Sequence, residues 1–142
     1  MIGRLVLAML IAATLSASAG AADDKAGARR LLDLMREAET YMLAGWQVLD
    51  AKELDAQSSR LVQATALPQD EIGFAMRSEC LDAAASMSNL AGGMARIVRG
   101  EVDAKGLVRI KQSYANWKLY LANCETALKS KKPRKLVIEL DP

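Results

Sequence analysis

Histidine is absent from the chain. That removes the commonest general base, the usual zinc and copper ligand, and any haem held through a Cys-x-x-Cys-His motif. A serine or cysteine nucleophile has no imidazole here to activate it. Cysteine occurs only at Cys80 and Cys124, too far apart for the Cys-x-x-Cys spacing of a redox centre. No glycine-rich phosphate loop follows a strand pattern, and Gly92-Gly93 is a lone pair inside a helical one. Aromatic residues make up 4% of the chain and prolines number 3, so neither aromatic-rich binding platforms nor β-rich, turn-rich architecture is indicated. Uninterrupted apolar runs are also short. None reaches the length of about 18 residues that marks a membrane-crossing helix.

What is present begins with residues 1–22, which have the layout of a secretory signal. Arg4 supplies the positive start, Leu5 to Leu15 the short apolar core, and Ala17-Ser18-Ala19 or Ala19-Gly20-Ala21 the small-residue cleavage site. No cysteine stands at that site to carry a lipid. The expected address is the bacterial periplasm or the exterior, with cleavage near Ala19 or Ala21. Residues 23–128 then form one domain, rich in Ala, Leu, Met and charged residues, and residues 129–142 a basic tail.

The spacing predicts a long helix from Pro68 to Arg99. Ile72, Met76, Cys80, Ala83, Met87, Leu90, Met94 and Ile97 recur at steps of three or four. Pro68 suits a first turn, Asp70 and Glu71 complement the dipole, and Gly100 ends the run. A second run, Leu31, Met35, Ala38, Met42, Gly45 and Leu49, predicts a first helix from Lys25 to about Gln57, capped by Asp23 or Asp24. It either ends near Ser58-Ser59 or breaks and restarts through Leu61 and Val62. Asp103 caps a third run, Leu107, Ile110, Tyr114, Trp117, Leu121, Cys124 and Leu128, which extends toward Pro133. The expected fold is therefore all-α: an antiparallel three-helix bundle, or four helices if the first one breaks near Ser58.

Cys80 lies 22 residues before Val102 and Cys124 lies 22 after it, each on the apolar stripe of its helix. A chain folded back at that turn sets them side by side, and in an oxidising compartment they form an inter-helix disulfide.

Candidate functional groups are sparse. Glu79 with Asp82, or Glu37 with Glu39, have the residue types of an acid/base pair, but charges on helices are ordinarily a solvated face. No catalytic residue, cofactor or metal is assigned. The methionines Met35, Met42, Met76, Met87 and Met94 have the soft sulfur that selects Cu(I), yet all lie in the predicted seams, where methionine is core filler. Tyr114 and Trp117 read as core, whereas Trp46 and Tyr120 lie off the seam centre and suit a pocket rim or partner contact.

The helix from Pro68 has an apolar and small face too wide for a single seam. Phe74, Leu81, Ala85, Ser88 and Gly92 widen it, and such a face disappears under a broken first helix or is buried by a partner or a second copy. In the tail, Lys129, Lys131, Lys132, Arg134 and Lys135 give 129–142 five basic and two acidic residues, net +3. Residues 23–128 hold 13 basic and 15 acidic, net −2. The run suits weak contact with anionic surfaces rather than nucleic acid, since no aromatics interleave it. A frayed, solvated end is the expectation for the tail; the other options are that the β-prone Leu136 to Leu140 docks on the bundle or adds to a partner's sheet edge. These features point to an exported, non-catalytic bundle that binds another protein as an inhibitor, immunity protein, adaptor or chaperone. The alternative is a periplasmic carrier or sensor with an apolar pocket between helices.

Overall fold

The computed structural model describes residues 5–66 and 77–140, with side chains for 25–66 and 79–140. Four helices follow in order: α1 (Leu5–Gln47), α2 (Ala51–Thr65), α3 (Arg77–Val98) and α4 (Ala104–Ala127). No strand occurs among the described residues. The proposed start at Pro68, with Ile72, Phe74 and Met76, lies outside them. The all-α bundle takes its four-helix form, the chain reversing direction at each connection.

The first helix breaks about ten residues before the position expected. α1 ends at Gln47 rather than near Ser58, because two caps meet at one residue. Leu49 donates its N–H to Trp46 O (3.2 Å) and Asp50 donates to Gly45 O (2.8 Å), the paired bonds that close a helix C-terminus through a left-handed residue. Leu49 is that residue, at φ 56°. Asp50 then starts α2, its Oδ1 accepting from the backbone N–H of Lys52 (3.0 Å) and Glu53 (3.2 Å). At its other end α1 runs through Asp23 and Asp24 without stopping, so neither caps it.

The same closure recurs twice. Gly100 (φ 71°) ends α3, with Gly100 N–H bonded to Ile97 O and Glu101 N–H to Arg96 O. Lys129 (φ 51°) ends α4, with Lys129 N–H bonded to Thr126 O and Ser130 N–H to Glu125 O. This stops α4 before Pro133 is reached. Asp103 caps α4 as expected, accepting from Gly106 N–H at 2.7 Å.

The core lies on the predicted stripes: Leu31, Met35, Ala38 and Met42 of α1, Cys80, Ala83, Met87, Leu90 and Met94 of α3, and Ile110, Trp117, Leu121 and Cys124 of α4 are all buried. Leu54 and Leu61 of α2 join them. Packing is uneven. α3 holds α2 and α4 closely, whereas α1 and α4 hardly touch. Small residues explain the tight side: an added Cβ at Gly93 would meet Ile110 Cγ1 at 2.6 Å, and one at Gly92 would meet Ser58 Oγ at 3.3 Å. Cys80 and Cys124 are joined as expected, with Cα atoms 4.8 Å apart, tying α3 to α4.

The open α1–α4 seam is filled by the tail, which is docked and not frayed. Leu136 and Ile138 are buried while Val137 and Glu139, which alternate with them, are exposed, the pattern of an extended segment. With no strand beside it, the segment bonds to side chains. Glu39 Oε1 accepts from the N–H of Lys135 (2.5 Å) and of Leu136 (2.8 Å). Tyr114 Oη donates to Leu136 O (3.3 Å) and accepts from Ile138 N–H (3.4 Å).

Candidate functional site

The wide face of α3 is largely occupied from within. Ser88 is buried against α2, where Ser58 Oγ donates to Ser88 O and Ser88 Oγ donates to Ser58 O, both at 3.0 Å. Gly92 packs beside the same serine. Leu81 is half-buried against the core, Ala85 is exposed, and Phe74 lies outside the described residues. The break in the first helix therefore covers the Ser88–Gly92 part of that face. Trp46 and Tyr120 are both half-buried, each packed on the core from its edge.

Nor do the acidic pairs assemble. Glu79 and Asp82 are exposed. Glu37 and Glu39 point to different neighbours, Glu37 to Arg60 of α2 (2.6 Å) and Glu39 to the tail backbone. Met35, Met42, Met87 and Met94 are fully buried among apolar side chains, and Met76 lies outside the described residues. Among the described residues no cluster of His, Cys, Asp or Glu is arranged to hold a metal.

Another carboxylate, Glu125, anchors a buried ionic cluster that sequence spacing does not reveal. It is 1% exposed, with Arg36 Nη2 3.3 Å from Oε1. Arg134 Nη1 lies 3.1 Å from Oε2, an ion pair without hydrogen-bond alignment. Arg36 also donates to the carbonyl and hydroxyl of Ser130. One of the five basic tail residues thus turns inward, its guanidinium 5.9 Å from the Trp117 ring centroid, while Lys129, Lys131, Lys132 and Lys135 stay exposed. Breaking a buried pair of this kind leaves an uncompensated charge, so the cluster locks α1, α4 and the tail.

Two exterior features remain. The first is the α1–α2 turn, where Val48 is 74% exposed and Leu49 65% exposed beside the half-buried Trp46. The Asp50-x-x-Glu53 spacing marks the helix start there, although Glu53 bonds Gln57 rather than returning to Asp50. The second is a cleft of about 450 Å³ between α2, α3 and α4, with Val62, Asn89, Arg96, Arg109, Ile110 and Ser113 among its lining. Neither Trp46 nor Tyr120 borders it. At the adjacent end of α3, Arg99 pairs with Asp55 (2.6 Å) and Glu101 (3.0 Å). The hydrogen bond to Glu101 first, then that to Asp55, raises its pKa above the ordinary arginine value.

No family model, curated protein or solved structure matches the chain.

Proposed function

We propose that this chain is an exported, non-catalytic protein that binds another protein through the α1–α2 turn. The observation that carries this reading is Leu49. A left-handed backbone costs a branched side chain about 1–2 kcal/mol, and helices usually place glycine at this position. Here a leucine holds φ 56° and is mostly exposed to water, next to a valine that is exposed further still. Packing within the bundle draws no benefit from that choice. Residues kept in an unfavourable conformation with an apolar tip outward suit insertion into an apolar recess of a partner, the inhibitor, immunity, adaptor or chaperone type of contact.

Export is supported by the signal-like residues 1–22 and by the joined cysteines, which persist in oxidising compartments. Amino-terminal sequencing of the mature protein checks this, with a start after Ala19 or Ala21 expected.

For the binding reading, a photo-crosslinking side chain at Val48 in the native host is expected to yield one protein adduct of discrete mass. The same group at Val108, an isolated exposed residue of α4, is expected to yield none. Leu49→Gly provides the control, because it relieves the backbone conformation and should keep or raise stability by up to about 1 kcal/mol. Loss of the adduct in this folded variant supports the reading. An adduct that persists unchanged, or none from Val48 in the parent protein, refutes it.

A further inference from the structure

We propose that the cleft between α2, α3 and α4 binds a small organic acid, its carboxylate on Arg96 and Arg109 and its apolar body between Val62 and Ile110. The inference is independent of the turn at Leu49, which belongs to α1 and α2.

Charge is the first ground. Among the described residues two arginines line the cleft and no aspartate or glutamate does. The acids nearby are engaged elsewhere: Asp55 and Glu101 hold Arg99, and Asp103 Oδ1 accepts from Gly106 N–H. Among the described residues Arg96 donates only to the main-chain carbonyl of Glu101 at 3.1 Å and has no carboxylate partner. Arg109 has no ion-pair partner among the described residues. Guanidinium groups match a carboxylate through paired N–H donors, and positive charges gathered in a concave surface raise the local concentration of anions.

Shape is the second. The volume, about 450 Å³, falls in the range of small-molecule sites. Val62 is 53% exposed on one wall and Ile110, from α4, closes the other as a nearly buried residue, so an apolar body gains contact chiefly on Val62, area that a bare inorganic anion does not use. Gly92 and Gly93 keep side chains out of the floor. Among the described residues only two cations and no aromatic ring line the cleft, too little for a nucleic-acid strand, which needs a charged track with stacking platforms.

The test is a titration of ¹⁵N-labelled, disulfide-bonded mature protein with hexanoate, 4-phenylbutyrate, 4-phenylbutyramide and inorganic phosphate. Backbone amides of Gly92, Gly93 and Gly106 report the cleft. Both acids are expected to shift these three signals saturably, the neutral amide to bind at least about tenfold more weakly, and phosphate to bind more weakly than 4-phenylbutyrate. Arg109→Gln and Arg96→Gln, both at exposed positions, should each weaken the acids by about threefold to tenfold while leaving the rest of the spectrum in place. The proposal is overturned if neither acid shifts the three glycines, if the amide binds as well as the acid, or if both variants bind like the parent. Phosphate binding as tight as 4-phenylbutyrate overturns the apolar-body assignment, and shifts confined to the α1–α2 turn overturn the location.

Discussion

Glu39 shows most directly how single residues decide this structure. Its carboxylate is 3% exposed and takes two backbone N–H groups of the tail, at Lys135 and Leu136. Charge-assisted bonds contribute about 1.5–3 kcal/mol each, and here only the one to the buried Leu136 is shielded from water, the one to the exposed Lys135 adding little. Glu39→Ala is expected to lower unfolding free energy by about 2–3 kcal/mol in urea titration, with faster amide exchange at Leu136. An unchanged midpoint would mean the tail holds without this latch. Glu39 stands two residues from Glu37, and in sequence the two are indistinguishable surface acids. Only the approach of a distant segment makes one a buried acceptor and leaves the other beside Arg60. Leu49 and Lys129 were equally illegible, since nothing marks a leucine or lysine as a left-handed cap, whereas Gly100 in the same role was readable.

At the scale of elements, the tail behaves as a fifth packing unit without regular secondary structure. Burial of Leu136 and Ile138 against the α1–α4 seam, less the entropy of ordering the chain, makes removal after Ser130 cost about 3 kcal/mol. In a Trp46→Phe background, that truncation should also red-shift the emission of Trp117, which is fully buried in the intact protein. Emission that stays blue would show that α1 closes on α4 alone. The opposite side of the bundle depends on α3. Gly93→Ala places a methyl 2.6 Å from Ile110 Cγ1 and is expected to destabilise by about 1–3 kcal/mol, measured by thermal unfolding. Helix periodicity exposed α3 and α4 clearly. The break between α1 and α2 was less visible, because apolar spacing continues across it and the local signal, Asp50 with Glu53, is short.

For the whole molecule, the disulfide is the strongest covalent constraint. Cys80 and Cys124 close a loop with a sequence separation of 44. On the chain-entropy account, reduction should lower stability by about 4 kcal/mol, read as a shift of the urea midpoint between oxidised and reduced protein. A midpoint unaffected by reduction would place the stability in packing alone. None of the helices, among the described residues, is long and apolar enough to cross a membrane. The basic run 129–135 does not remain a uniform charged tail in this arrangement, because Arg134 is drawn to Glu125 and the lysines around it are left facing water.

Local pattern alone determined that the chain is helical, which stripes are buried, and which cysteines meet. Those properties follow from side-chain spacing on a helix and from the loop the turn at Val102 must make. The docking of the tail, the buried Glu125 cluster and the arginine-lined cleft were decided by tertiary structure. Each depends on groups far apart in the chain becoming neighbours, as with Arg36 and Ser130 or Ser58 and Ser88. Periodicity carries which face of a helix is apolar; it does not carry which distant polar groups meet when those faces close.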